Sequence, residues 1–341
     1  MKNKSLYPIV ILCVVLALTG SLYAQEQESA NRRIGSAAAT ELLIPVGAAG
    51  LAMARTALAV SSGVAALHWN PAGLARMEHS TEAMVSSMGY IADIRVNYGA
   101  VGVRFGDFGT IAVSAKQINF GDIPLTTNED PEALQGRTYS PNYLTLGVTY
   151  ARRFTDAITV GVTFKAISEK VIRVSGSAIA FDIGVQYHSA GGIEGLNFAV
   201  ALKNYGPQMK FKGSGLLKRA ISTEGLRPVQ YYQSLPASYE LPSTLEIGMS
   251  YVRDFAENLN MSVNGAFINN NMALNAYRLG AQLGFKMEDL RFYGRGGIEF
   301  MPLNDIDEDI FGPCFGLGVY YKTGSIDFML DYAYRQTEYF A

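Results

Sequence analysis

The 341-residue chain has two cysteines, one tryptophan and three histidines, and each scarcity closes off a class of function. Cys13 lies in an apolar leader, so Cys314 stands alone beyond it and an intramolecular disulfide framework is excluded. His68, His79 and His188 lack close metal-ligand spacing, and nothing marks an activated nucleophile. The expectation is therefore no metal, no cofactor and no enzyme. Basic charge is not in excess either: 28 Lys and Arg stand against 30 Asp and Glu, which argues against a nucleic-acid partner. After residue 24 the chain has no apolar run near the roughly 20 residues of a spanning helix. A chain that enters a bilayer without such a helix can do so only as strands.

What is present begins with the leader. Lys2 and Lys4 precede an apolar run, Leu6–Leu18, and Leu22-Tyr23-Ala24 offers a small-residue cleavage site before Gln25. Residues 1–24 read as a cleaved signal peptide of an exported protein. Leu12 stands where a lipoprotein signal would need a small residue before Cys13, so lipidation is rejected. Losing Lys2 and Lys4 leaves 26 basic against 30 acidic residues, a net charge of −4.

Beyond Thr81 the hydrophobic period is two. In IAFDIGVQY, Ile179, Phe181, Ile183, Val185 and Tyr187 share one face, and Asp182, Gly184 and Gln186 the other. The stretches NYLTLGVTYA, ITVGVTFKA, YRLGAQLGFK and IDFMLDYAY repeat the pattern. Large apolar groups on one face, with Gly, Thr and both charge signs on the other, are the pattern of an outer-membrane barrel. A soluble sandwich also alternates, but its strands are usually shorter. Short turns at 106–109, 154–157, 190–195, 255–258, 287–290 and 322–325 alternate with longer connections at 120–141, 171–177, 205–242, 269–275 and 301–312. That is the inside–outside asymmetry such barrels show. The reading is an all-β transmembrane antiparallel barrel over 80–341. Thirteen strands can be counted where an even number is expected. The tail RQTEYFA is too short for another, so a fourteen-stranded wall whose last strand lies past a truncation is the expectation.

Residues 35–79 break the alternation. GAAGLAMARTALAVSSGVAALHWNPAGLA is rich in small residues, with helical stretches and Gly breaks, too apolar for a free tail and too short for its own core. The segment 25–79 therefore reads as a hatch packed inside the barrel. Its stretch 46–75, ending in ALHWNPAGLA and followed by SSMGYIADIRVNY (86–98), resembles the PorV/PorQ family, part of the wider FadL-like group of outer-membrane barrels. The resemblance implies a diderm outer membrane, a fourteen-stranded barrel and an N-terminal hatch whose Asn-Pro-Ala element is Asn70, Pro71 and Ala72. It also implies one of two roles. PorV-type members hold secreted clients and secretion-system proteins of type IX secretion; FadL itself imports fatty acids and other hydrophobic ligands through a lateral opening.

Four groups of residues deserve testing as sites. Trp69, Asn70, Pro71, Ala72 and Gly73 form the hatch turn, where Asn70 can cap backbone and Pro71 holds it out of helix; a corner seating the hatch is favoured over a gate. His68 and Trp69 read as packing. By phase, Asp182, Lys203, Glu246, Arg278, Lys286, Arg291, Arg295, Glu299, Asp327 and Asp331 face the lumen. Their mixed signs argue for a filled barrel rather than an ion-selective pore. An apolar parity change at Gly99-Ala100, echoed over Ala115, Lys116, Gln117 and Ile118, suggests a bulge and a lateral opening near 114–120. Finally, DIDED (305–309) resembles a calcium loop but has Ile310 and Gly316 where Gly and Glu are needed, so it reads, like NED (128–130), as an acidic surface loop. For contact with partners, the outside loops 120–141 and 205–242 are the expected surfaces, the second carrying Tyr205, Phe211, Tyr231, Tyr232 and Tyr239.

Overall fold

The computed structural model describes residues 35–220, 229–301, 310–324 and 326–337. The leader 1–24, the acidic stretch 305–309 and the tail 338–341 lie outside the described residues.

Strands alternating between apolar and polar faces run through the chain after the hatch. They are β1 (Thr81–Gly89), β2 (Arg95–Arg104), β3 (Thr110–Asn119), β4 (Ile123–Pro124), β5 (Thr138–Tyr139) and β6 (Asn142–Arg153). Next come β7 (Ile158–Val171), β8 (Val174–Tyr187), β9 (Leu196–Tyr205), β10 (Lys210–Lys212), β11 (Leu217–Ala220) and β12 (Gln230–Gln233). The last are β13 (Thr244–Ala256), β14 (Leu259–Asn270), β15 (Ala276–Met287), β16 (Leu290–Phe300), β17 (Phe311–Thr323) and β18 (Ile326–Thr337). Thirteen of these form the wall, an antiparallel meander in the order β1-β2-β3-β6-β7-β8-β9-β13-β14-β15-β16-β17-β18. Each expected wall strand is present with its ends moved by at most a few residues. The short strands were not foreseen: β4 pairs with β5, β11 with β12, and β10 lies along β8.

The wall strands run from 9 residues in β1 to 14 in β7 and β8, enough for a tilted strand to cross hydrocarbon. Their outward faces carry Val148, Phe164, Ile183, Leu279, Leu283, Phe328 and Leu330, all exposed, where lipid is the solvent. Facing inward along β8 are Gly176, Ala178, Ala180, Asp182, Gly184 and Gln186. The chain is thus an outer-membrane β-barrel with its polar and small side chains inside. The two ends of the path, β1 and β18, run in the same direction. At the short-turn end, His79 Nε2 and Asp327 Oδ2, 2.8 Å apart, tie the segment before β1 to β18.

The lateral opening is not there. Pairing runs unbroken from Gly89↔Arg95 to Thr81↔Val103, from Arg95↔Asn119 to Arg104↔Thr110, and from Asn119↔Asn142 to Thr110↔Ala151. Gly99, Ala100, Ala115, Lys116, Gln117 and Ile118 are all in that ladder. The parity change has a different cause. Val96, Tyr98, Ala100 and Ile118 face inward against hatch residues Val46, Val64, Leu67, Leu74 and Met77, while Val101 and Val113 face lipid. Both faces need apolar groups here, so hydrophobicity switches parity while the backbone does not slip. Register shifts do occur elsewhere, at Phe181/Ile183 opposite β9, at Asp254/Ala256, and at Phe311/Cys314.

Candidate functional site: the hatch and its seat

Residues 35–79 thread the lumen from one end to the other. They form one five-residue helix, α1 (Ala48–Ala52), and 3-10 turns at Thr40–Leu43, Ala57–Ala59, Gly63–Ala66 and Pro71–Arg76. Left-handed backbone at Ala39, Gly47, Ala54, Arg55 and Gly63 interrupts the segment before a long helix can form, and the short turns let the backbone follow the wall. The entry end meets the long connections: Ala38 N–H donates to Glu240 O at 3.0 Å, and Ala38, Ala39 and Leu42 pack on Ile167, Ala180, Met209 and Leu241. The exit end, Pro71–Arg76, lies among β6, β7 and β8 toward the short turns. Long connections are the outer ones in such barrels.

Asn70 is the corner of this path. It is fully buried and extended (φ −154°, ψ 113°), with Pro71 opening the following turn. Its Oδ1 accepts from Ala72 N–H at 3.0 Å, and its Nδ2 donates to Val185 O of β8 at 3.1 Å. One side chain therefore caps the hatch and binds it to the wall. Trp69 packs with Met53, Ala57 and Val60 inside the hatch, its ring lying against Gly50; His68 meets it edge-on at 4.9 Å. Burial, followed by Lys203, Lys116, Lys165 and Arg55, pushes the His68 imidazole well below its usual range, which keeps it neutral. Gly73 faces Ala66 and Ser61 O too closely for any side chain.

The wall answers with glycines. A Cβ on Gly161 would overlap the Pro71 carbonyl, and one on Gly184 would overlap Asn70 Oδ1. Gly248, Gly280, Gly297 and Gly316, on β13, β15, β16 and β17, are touched by Leu58, Thr56, Met53 and Ala52 in turn. Lumen glycines are therefore the seat of the hatch, spread around the wall.

Between these contacts the lumen charges are paired. Lys165 Nζ lies 2.6 Å from Asp182, Lys203 Nζ 3.2 Å from Glu246, and Arg295 Nη1 2.6 Å from Asp331 with its Nε on Gln282. Arg278 is bonded to Glu299, which Arg55 of the hatch approaches at 3.7 Å. Arg291 stacks over Tyr320, and Asp327 bonds both Tyr320 and His79. Lys286 is exposed near the short-turn end. The lumen charges named from parity were all on the wall: they left out Arg55 and Glu41 of the hatch, and also Lys165, although the alternation of ITVGVTFKA puts Lys165 on the polar face. A signal existed for the first two: they are the only Asp, Glu, Lys or Arg between Ile34 and Ala75, and a lone charge in an apolar segment must find a partner.

Glu41 is buried with its carboxyl group against that of Glu169 of β7. Lys116 does not neutralise it; its ammonium donates to the backbone O of Glu41 at 2.7 Å and of Ile44 at 2.5 Å. Burial, and then Glu169, pushes the Glu41 carboxyl up to about 8 from 4.5. A carboxyl raised in the seated state stabilises seating fully below its free value and loses that contribution as pH rises through its seated value. Hatch protection from hydrogen exchange at residues 40–44 is thus expected to fall between about pH 4.5 and 8. In Glu41→Gln that dependence should shrink, with Glu169 the carboxyl left beside the segment, and a dependence of unchanged size would show that another group titrates.

A sequence profile of the type IX secretion system protein PorV matches residues 26–224, more than half of the chain. The chain belongs to the PorV family. Among curated proteins none matches this PorV-family chain. Solved structures with similar folds include a TodX variant, a monoaromatic hydrocarbon channel, at TM-score 0.53 and 12% identity, covering 85% of this chain and 92% of that one. The Ralstonia pickettii toluene transporter TbuX aligns at TM-score 0.49 and 16% identity, over 85% and 94% of the two chains. A Pseudomonas aeruginosa FadL homologue aligns at 0.47 and 12%, over 86% and 90%. At such identities the likeness is one of fold alone, and the TodX variant is the alignment that carries it.

Proposed function

We propose that this PorV-family barrel is a non-enzymatic docking protein that holds secretion-system or secreted proteins of type IX secretion at its outer face. The observation that carries the reading is the β11–β12 hairpin within the 205–242 connection. It stands clear of the wall with every described strand residue exposed, and presents Tyr231 (72% exposed), Leu217 and Tyr232, with Leu235 (89%) just beyond. Exposed aromatics grouped on a projecting element suit a protein contact. The other connection, 120–141, is held to itself, Asp130 accepting from Leu134 and Gln135 N–H. The competing reading, lateral release of a hydrophobic ligand, finds an unbroken ladder at β2–β3 and a hatch set directly on the wall.

Deletion of 217–233 is expected to abolish co-purification of secretion-system or secreted proteins from detergent extracts while leaving a folded barrel. Retention of the same partners after the deletion would overturn the docking role of this hairpin.

A further inference from the structure

Strand register assembles a cationic shelf just above the lipid-facing belt. Lys170 of β7 pairs across Ser175 of β8 to Lys212 of β10, and in the adjacent row Ser168 pairs across Ser177 to Lys210. Residues in register on neighbouring strands point the same way. The intervening residues settle which way that is. Ile167 and Glu169 are buried inward, and Phe211 lies over Gly176 in the inner cluster with Met209. The three lysines and three serines therefore face outward, and all three lysines are exposed.

The next rows toward the membrane pair Ala166 with Ile179 and Phe164 with Phe181, the two phenylalanines meeting edge to face at 5.3 Å on the lipid-facing wall. Neither cationic row contains a carboxylate. The acids of β7 and β8, Glu169 and Asp182, both point into the lumen, where Asp182 is held by Lys165. Ammonium and hydroxyl donors thus border the apolar rows of Ile179, Phe164 and Phe181, at the edge where a lipid-facing wall meets headgroups.

We propose that Lys170, Lys210 and Lys212, with Ser168, Ser175 and Ser177, form a binding site for the phosphate groups of an outer-leaflet lipid. Lysine binds phosphate as a point charge, and hydroxyls add donors to the remaining phosphate oxygens. Basic residues near a membrane surface each contribute measurably to anionic-headgroup binding. The lane of Ile179, Phe181 and Phe164 takes the acyl chains, which is why the ligand is a lipid and not a free anion. An acidic protein would meet the hairpin above rather than this lateral face. The site is independent of the docking reading.

The test uses the full barrel in neutral detergent, with bisphosphorylated lipid A, its dephosphorylated form and inorganic phosphate as probes in native mass spectrometry. Wild type is expected to hold bisphosphorylated lipid A roughly a hundredfold more tightly than the Lys170→Gln/Lys210→Gln/Lys212→Gln variant. It should favour that probe over dephosphorylated lipid A, and the corresponding triple Lys→Arg variant should bind like wild type. Unchanged heat-modifiable migration on gels confirms that each variant is folded. Equal binding by wild type and the Gln variant would overturn the proposal, as would indifference to lipid phosphorylation. Displacement by inorganic phosphate would do so too, by showing a simple anion site.

Discussion

Leucine at Gly184 is expected to drive the hatch off its seat while the wall stays folded. Any Cβ there meets Asn70 Oδ1, and Pro71 Cδ closes the other side, so a branched side chain has no space while the corner is in place. Overpacking of this kind typically costs about 1–3 kcal/mol, and occasionally more where backbone must move. Here the yielding part is the hatch, because β8 is held by paired strands on both sides. Displacing the corner also loses the Asn70 bonds to Ala72 N–H and Val185 O. The readout is limited proteolysis in detergent: residues 35–79 become cleavable while the barrel keeps its heat-modifiable migration. Asn70→Ala removes the cap, the wall bond and a longer bond to Leu58 O at 3.4 Å but adds no clash, and with about 1 kcal/mol typical for a lost cap it should loosen the hatch less. A Gly184→Leu hatch as protected as wild type would mean the corner does not sit on β8.

Removal of Glu299 is expected to be the most destabilising single change among the lumen charges. Its carboxylate is bonded to Arg278 and approached by Arg55, and the Arg278 side chain is only 5% exposed. Glu299→Ala leaves a buried guanidinium without its partner and costs the hatch one wall contact. Breaking a buried pair from one side costs about 3–5 kcal/mol, whereas replacing both partners by apolar groups is often neutral. The double variant Arg278→Met/Glu299→Met should therefore recover most of the stability lost in Glu299→Ala. Urea unfolding in detergent micelles checks both. Equal losses in the single and double variants would show that the charge left behind is not the cause.

How far the residues announced this structure depends on the interaction's range. Strand alternation is local, so Ile179–Tyr187 could be assigned to two faces from their spacing alone, and the wall followed. The inward charges came from the same parity. Their partners did not, because pairing Lys165 with Asp182 or Arg278 with Glu299 needs strand register. The glycines were legible only as a crowded lumen; that Gly184 receives Asn70 and Gly161 receives Pro71 depends on contacts across about 90 to 115 residues of sequence. Gly99-Ala100 misled for a physical reason. Alternation identifies the buried face only when the other face is polar, and β2 is apolar both toward the hatch and toward lipid. Strands β10 to β12 went unseen because three or four residues carry no period.

A lumen filled by a seated hatch leaves the outer face as the proposed docking surface. Photo-crosslinking in living cells from a reactive residue placed at Tyr231 tests it most directly, with Phe164 on the lipid-facing wall as the control position. A protein adduct containing a secreted or secretion-system protein is expected at Tyr231, and no such adduct at Phe164. No adduct at Tyr231, together with passage of a hydrophobic small molecule through the reconstituted barrel, would contradict the docking role.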